Sequence, residues 1–287
     1  MPAQKKLKVE QVIEKADRFQ LVAGAEVELA ARINQALDSK GIALLPPIEV
    51  ENTLDLMCST NFNVDTVMLD PWYNKGFGGT QEGYQVFFLD VIAKSGQVSP
   101  HVYFWGFPEI VAPFVERIPE PLKLTCWLTW YYKNNPSVIR GWRSSQNACL
   151  HLSRDGAQMF PQRFLNERQM ELLAEKKLRY MPGPTSVLDC GPEDVIEEPL
   201  LVGFVGRNQQ TGHPSQKPVK VYEQLLKMTM PENGVVLDPM AGSGTTGSVA
   251  QMRSMRAILA DRSEEYVQMM ERRLQVTRLD LDDLRHS

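Results

Sequence analysis

The sequence predicts an α/β protein in which a mostly parallel sheet carries helices on both faces. Short apolar stretches typical of buried strands alternate with amphipathic helical segments along most of the chain. The stretch 235–250, VVLDPMAGSGTTGSVA, reads as a strand, a glycine turn and the start of a helix, and it contains the G-x-G-x-x-G fingerprint of Rossmann-like folds. After that turn the 287-residue chain has room for one more strand and helix, whereas a doubly wound sheet needs about five strands. The other strands must come earlier, so the predicted fold is circularly permuted.

The spacing of apolar residues predicts the elements in chain order. Helices are predicted over 9–19 and 27–37, with Gly41 closing the second. Strands are then predicted near 48–50 and over 64–69, 101–105, 122–131, 148–153, 235–237 and 257–260. The other predicted helices cover 85–94, 164–179, the end of 213–229, and 264–276, and the Pro-, Gly- and acid-rich segment 182–198 is predicted to be a loop with a short strand.

Composition excludes several classes of protein. A hydrophobic content of 43% and a charged content of 23% are typical of a soluble globular protein. The four cysteines form no C-x-x-C pair, which favours a reducing compartment and argues against a disulfide framework or a zinc site. No signal peptide is recognisable, and the most apolar run, 102–115, is interrupted by Pro108 and Glu109. We therefore expect no metal, no membrane association, and a cytoplasmic, nucleoid-associated location, or a nuclear one in a eukaryote.

The net charge of −4 does not by itself indicate nucleic acid, but charge is unevenly distributed. Segment 131–180 contains nine Lys and Arg against four acidic residues, with aromatic residues between them. This pattern suits a phosphate-bearing partner, although a solvated helical face beside core aromatics would give the same pattern. Lys133, Arg140 and Arg143 are the candidate contacts to nucleic acid.

The glycine turn predicts an anion site. Backbone N–H groups of 242–245 lie at a predicted helix N-terminus, where they can bind a pyrophosphate or a carboxylate. Asp261, at the end of the following strand, suits ribose hydroxyls. The lysine of a P-loop is absent. On this turn alone NAD, FAD and S-adenosylmethionine remain open, the last through its methionine carboxylate.

Two other motifs distinguish among these ligands. Asp70-Pro71-Trp72-Tyr73 directly follows an apolar strand, at the sheet edge where α/β proteins bind ligands. GHPSQKP, at 212–218, precedes the helix that leads to the glycine turn, and ADRSEEY, at 260–266, follows the next strand. In this order the motifs resemble those of the β-class amino-methyltransferases of DNA, namely D-P-P-Y, H-P-x-Q-K-P, D-P-F-x-G-S-G-T-T and S-x-E-Y. The resemblance covers 48–274.

The resemblance implies a circularly permuted methyltransferase fold, S-adenosylmethionine as cofactor, and DNA as partner. The implied catalytic residues are Asp70, Pro71, Trp72 and Tyr73. The implied cofactor-binding residues are His213, Ser215, Gln216, Lys217, Asp238, Pro239, Met240, Ala241, Gly242, Ser243, Gly244, Thr245, Thr246 and Asp261. Two residues depart from the family pattern: Trp72 replaces a second proline and puts a large aromatic side chain beside the base pocket, and Met240 replaces a phenylalanine and can still pack on the cofactor.

The chemistry fits the catalytic motif. Asp70 and the Pro71 carbonyl can accept the two N–H bonds of an exocyclic amine, and Tyr73 or Trp72 can stack on a flipped-out base. The expected reaction is transfer of a methyl group to N6 of adenine, because aspartate heads the motif in adenine enzymes of this family. Cytosine N4 is the alternative. A nucleotide-dependent oxidoreductase and a catalytically silent DNA-binding partner are hypotheses of other classes, and a homodimer and a cognate restriction endonuclease are left open.

The predicted organisation has four parts. An N-terminal helical extension covers 1–45, and the catalytic half of the methyltransferase domain covers 46–154. A target-recognition insertion is predicted over 155–211, and the cofactor-binding half over 212–287.

Overall fold

The computed structural model describes residues 21–22, 24–71, 82–132, 138–139, 142–143, 145–188, 210–211 and 216–284, with the backbone alone for 138–139 and 143. The predicted helix over 9–19 lies outside these residues. None of the helices within them has the length and apolar composition needed to span a membrane.

Most of the predicted helices and strands are present in the predicted order. The helices are α1 Ala25–Lys40, α2 Val50–Ser59, α3 Tyr84–Val98, α4 Pro108–Val111, α5 Glu167–Ala174, α6 Val219–Thr229, α7 Thr245–Met252 and α8 Glu264–Leu274. The strands are β1 Ile42–Leu44, β2 Thr66–Leu69, β3 His101–Gly106, β4 Leu122–Tyr131, β5 Val138–Ile139, β6 Trp142–Arg143, β7 Gln146–Arg154, β8 Val187–Leu188, β9 Val235–Asp238 and β10 Arg256–Leu259. Five of these elements were not predicted: β1, α2, α4, β5 and β6.

Eight of these strands form one sheet in the order β1-β10-β9-β2-β3-β7-β4-β8. The five strands from β1 to β3 are parallel, β7 is antiparallel to β3 and β4, and β8 is parallel to β4. The parallel block has the order of a doubly wound sheet in which β9 takes the place of the first strand. Because β9 comes near the end of the chain, the predicted circular permutation is confirmed.

Helices cover both faces of the sheet, as predicted. Neighbouring residues of β10 alternate between two apolar clusters, with Ile258 in one and Ala257 and Leu259 in the other. The first cluster takes side chains from α1, α2 and α3, and the second takes side chains from α6, α7 and α8. Strands of the parallel block are therefore buried on both faces, which explains their continuous apolar sequences.

The neighbours β2 and β9 form the topological switch point of the sheet. From β9 the chain crosses through α7 to β10 on one side, and from β2 it crosses through α3 to β3 on the other. Because the two crossovers diverge and lie on opposite faces, a crevice opens at the carboxyl ends of β2 and β9. Asp70 follows β2 directly, and the glycine turn follows β9.

Two predicted elements differ in the structure. The strand predicted near 48–50 is wrong: β1 ends at Leu44, Pro46 and Pro47 follow, and Val50 begins α2. Segment 25–44, which belongs to the predicted extension, forms the helix α1 and the strand β1. That strand lies at the edge of the eight-stranded sheet.

The helix predicted over 164–179 is shortened to α5 at both ends. Asn166 and Gln169 form a capping box that fixes its start, and Lys176, with a φ of 56°, lies just beyond its end. The recognition insertion predicted over 155–211 stays a prediction.

The third glycine of the fingerprint is required by packing. A Cβ at Gly247 would lie 2.6 Å from Cδ1 of Leu274 and 2.7 Å from Cδ1 of Leu259, and both leucines are buried. We expect Gly247→Ala to lower the free energy of unfolding by about 1–3 kcal/mol, because overpacking outweighs the gain in helix propensity. Urea unfolding would measure the loss. Gly183→Ala is the control, since its Cβ would meet nothing closer than 4.0 Å; equal stabilities of the two variants would contradict this packing argument.

Candidate active site

A cavity of about 250 Å³ occupies the crevice at the switch point. It brings together residues that are far apart in the sequence but follow neighbouring strands. Its lining residues are Glu49, Val50, Asp70, Pro71, Gln216, Lys217, Tyr222, Pro239, Met240, Ala241, Gly242, Ser243, Thr245, Asp261, Arg262 and Tyr266.

The glycine turn forms one wall of the cavity. Gly242 and Gly244 have φ values of 49° and 75°, which glycine adopts at little cost, and the N–H of Gly244 donates to the carbonyl of Ala241 at 2.7 Å. The turn leads directly into α7, so the N-terminus of that helix faces the cavity. Arg273 of α8 holds the turn from behind by donating to the carbonyl of Ser243 at 2.7 Å. This geometry suits a carboxylate or a phosphate.

Asp261 both braces the turn and faces the cavity. Its Oδ2 accepts the N–H of Gly242 at 2.9 Å, and its Oδ1 accepts the N–H of Ser263 at 2.9 Å. The side chain is nearly buried and lines the cavity. The sequence predicted contact with ribose hydroxyls, and the carboxylate has further lone pairs for such contacts.

Asp238 does not line the cavity but bonds to residues on either side of the glycine turn. Its Oδ1 accepts the N–H of Met240 at 3.2 Å, and its Oδ2 accepts the hydroxyl of Thr246 at 2.5 Å. Complete burial raises the pKa of the Asp238 carboxyl from its ordinary 3.8 to about 7, although both hydrogen bonds oppose the shift. Asp238, Gly244 and Thr246 are not among the lining residues of the cavity, so they shape the site by holding the turn.

Asp70 lines the same cavity as the turn. Nζ of Lys217 lies 2.8 Å from its Oδ1 and 2.6 Å from its Oδ2. The hydroxyl of Tyr222 donates to Oδ2 at 3.1 Å. The ammonium of Lys217, predicted as a cofactor ligand, is therefore bonded to the predicted catalytic carboxylate.

The structure describes the other predicted site residues in part. Oε1 of Gln216 accepts from the backbone N–H and the hydroxyl of Thr211, both at 2.9 Å. Trp72, Tyr73, His213 and Ser215 lie outside the described residues, as do Lys133 and Arg140. Arg143 is described by its backbone alone.

Part of the basic segment has structural roles. Arg154 donates to the carbonyls of Gly96 and Gln97, and Arg163 donates to the carbonyl of Met230 at 2.6 Å. Trp130 and Tyr132 are buried in the core, whereas Trp142 is 85% exposed. The segment thus combines core residues with exposed basic residues, namely Arg168, Lys176, Lys177 and Arg179.

Sequence reasoning did not assign Tyr222, Trp105 and Arg273 to the site, and it also missed the lining residues Glu49 and Val50. Tyr222 lies on α6 outside any motif, Trp105 lies on β3, and Arg273 is one of two adjacent arginines on α8. Their roles depend on long-range packing, and nothing in the local sequence distinguishes them. In the described part of the chain, no group of three or more His, Cys, Asp or Glu side chains could hold a metal ion.

The buried Asp238 predicts a pH dependence of stability. Between about pH 3.8 and about pH 7, the folded chain keeps the Asp238 proton that the unfolded chain has lost. The contribution of the carboxyl to the free energy of unfolding is therefore full below about pH 3.8 and is lost as the pH rises to about 7. We expect the wild type to lose stability relative to Asp238→Asn between pH 5 and pH 8. Urea unfolding of both proteins at each pH measures the difference, and a difference that stays constant with pH would contradict the shift.

Comparison with known proteins agrees with this geometry. The N6_N4_Mtase family model, described as DNA methylase, matches residues 64–272. The type II methyltransferase M.HpaI of Haemophilus parainfluenzae is 25% identical over 224 residues, which cover 74% of this chain and 68% of that protein.

Two solved structures share the fold. The M1.HpyAVI–SAM complex has a TM-score of 0.59 at 17% identity and covers 82% of this chain and 100% of its own. The PvuII DNA methyltransferase, which is cytosine-N4-specific, has a TM-score of 0.56 at 18% identity and covers 85% of this chain and 92% of its own. The predicted methyltransferase fold is confirmed. Because the family model spans most of the sequence, including Asp70, the glycine turn and Asp261, the chain belongs to the N6/N4 DNA methylase family.

Proposed function

We propose that this protein transfers a methyl group from S-adenosylmethionine to the exocyclic N6 of adenine in DNA. One observation carries the proposal: Asp70 and the glycine turn line the same cavity. The first group suits an amine that must be oriented, and the second suits the carboxylate of an amino-acid cofactor.

The residues of the cavity fit S-adenosylmethionine. The N-terminus of α7 would hold the methionine carboxylate, while Asp261 and Glu49 offer acceptors for hydroxyl and amine groups of the nucleoside. Val50 and Met240 offer apolar surface for the adenine ring. When bound, the cofactor supplies an electrophilic methyl group on a sulfonium.

Asp70 orients the target nitrogen. The amine lone pair of adenine is delocalised into the ring, so two acceptors are needed to draw the nitrogen toward tetrahedral geometry. The carboxylate of Asp70 accepts one N–H and the carbonyl of Pro71 accepts the other. To reach these two acceptors the base must flip out of the DNA duplex, at a cost of a few kcal/mol. Stacking of the base on Trp72 or Tyr73, worth about 1–3 kcal/mol, offsets this cost.

Family membership argues against the oxidoreductase alternative, which also leaves Asp70 and Lys217 without a role. The shared fold does not choose between bases, since the PvuII enzyme is cytosine-specific. Adenine is proposed because aspartate heads the catalytic motif. A homodimer and a cognate restriction endonuclease stay predictions.

The test is to identify the methylated base. The chain would be expressed in a host whose DNA lacks both modifications, and sequencing would distinguish N6-methyladenine from N4-methylcytosine. We expect N6-methyladenine at a defined sequence. N4-methylcytosine would transfer the proposal to the alternative base, and an unmodified genome with folded protein present would contradict it.

Loss of the carboxylate should abolish most turnover. We expect Asp70→Asn and Asp70→Ala to lower the methyl-transfer rate on the order of 10²–10⁴-fold, the range typical of a positioned acid–base group, with DNA affinity preserved. Asp90→Ala is the matched control, because Asp90 is an exposed residue of α3 that pairs only loosely with Lys94, at 3.6 Å. Near-normal rates in both Asp70 variants would remove Asp70 from the mechanism.

We propose that DNA is bound beside the β5–β6 ribbon. Tyr131, the last residue of β4, pairs with Gln146, and Gly106, at the end of β3, pairs with Ala148. The chain between β4 and β7 therefore leaves the sheet at the same edge as Asp70. Within it, the exposed Trp142 offers a surface for stacking on a base.

Charge reversal in this ribbon should weaken DNA binding. We expect Arg140→Glu or Arg143→Glu to reduce the slope of log affinity against log salt by about one unit for each DNA phosphate that the protein no longer neutralises. Lys123→Glu is the control, because Lys123 lies at the opposite end of β4. Fluorescence anisotropy over a salt series measures the slopes, and equal slopes for all three variants and the wild type would place the DNA surface elsewhere.

A further inference from the structure

We infer that Lys217 and Tyr222 are positioning residues that fix the carboxylate of Asp70 for methyl transfer. This gives Lys217 a role that differs from the cofactor contact predicted from the sequence. The inference rests on the proposed function, because it assigns these residues to the same reaction.

Both donors belong to one rigid unit. Lys217 lies two residues before α6, and Tyr222 lies in the first turn of that helix. Three short contacts reach Asp70 from this unit, two from the ammonium and one from the phenol. A carboxylate held at both oxygens by α6 and the residue that precedes its N-cap has little freedom to rotate, which is the condition for accepting an N–H at a defined angle.

Trp105 forms a platform beneath both donors. Nζ of Lys217 lies 5.4 Å from the centroid of the Trp105 ring, and the ring of Tyr222 stacks on it at 6.0 Å with an interplanar angle of 11°. Trp105 is fully buried at the end of β3. The ammonium is therefore attracted both by the face of an aromatic ring and by a carboxylate.

Removing the charges of Lys217 and Asp70 from water costs free energy unless the two charges are paired. Lys217 is 3% exposed, and the side chain of Asp70 is 15% exposed. An ammonium removed from water is tolerated only when a partner compensates for its lost hydration, and such pairs contribute little net stability. A buried ion pair at the switch point is therefore better explained by orientation of the carboxylate than by stabilisation of the fold.

The main chain of Lys217 is joined to the cofactor side of the site. The hydroxyl of Thr245, at the start of α7, donates to the carbonyl of Lys217 at 3.2 Å. Lys217 thus connects two parts of the site. Its carbonyl is bonded to Thr245, at the end of the glycine turn, and its ammonium is bonded to the carboxylate of Asp70. The relative position of cofactor and amine depends on this link.

Tyr222→Phe tests the phenol with the least disturbance, because it keeps the ring on Trp105 and removes only the hydroxyl. We expect the single-turnover methyl-transfer rate to fall about 10- to 100-fold, as for the loss of one hydrogen bond to a charged group, with the Kd for S-adenosylmethionine within about twofold of wild type. Tyr103→Phe is the matched control, since its hydroxyl also bonds to α6, donating to the carbonyl of Leu225 at 3.1 Å. It should leave the rate unchanged.

Lys217→Ala should lower the rate about 100-fold or more, and ethylammonium ions should restore part of it by occupying the vacated site. Lys227→Ala on the same helix is the control, because the Lys227 ammonium lies against Phe164. Loss of cofactor affinity with an unchanged rate would make Lys217 a cofactor ligand and overturn the inference.

A wild-type rate in Tyr222→Phe would overturn the role of the phenol even if Lys217→Ala fails to fold. A wild-type protein that does not methylate DNA would instead contradict the proposed function, so the two failures are distinguishable.

Discussion

The parallel pairing of β2 with β9 is the constraint on which the site depends. Thr66 pairs with Val236 and Val67 with Leu237, so Asp70 and the glycine turn follow the same ends of two neighbouring parallel strands. A register shift along either strand would separate the carboxylate from the turn. The strands are buried on both faces, so the packing of helices against both sides of the sheet holds this register.

The three aspartates at the crevice each have donors of their own. Asp261 takes two backbone N–H groups, Asp238 takes one N–H and a hydroxyl, and Asp70 takes an ammonium and a phenol. Asp238 is enclosed, so its pKa rises despite its donors. Asp70 is bonded to Lys217 and borders the cavity. The same residue type thus holds a turn in one place and borders the cavity in another.

Motif order predicted the permuted sheet and its ligand edge, because a strand followed by a glycine turn or by Asp-Pro is a local pattern. It could not predict Tyr222, Trp105 or Arg273, whose roles arise only when α6, β3 and α8 meet. Lys217 shows the limit most clearly, since the motif located the residue, and only the structure shows its ammonium at Asp70. The strand predicted near 48–50 does not form, because the prolines after β1 separate β1 from α2, which begins at Val50.

The central claim is that cofactor and catalytic carboxylate meet across one cavity at the switch point. A crystal structure of the chain with S-adenosylmethionine tests it most directly. The account predicts the methionine carboxylate at the N-terminus of α7 and the sulfonium methyl group directed toward Asp70. A cofactor bound elsewhere, or a methyl group directed away from Asp70, would contradict it.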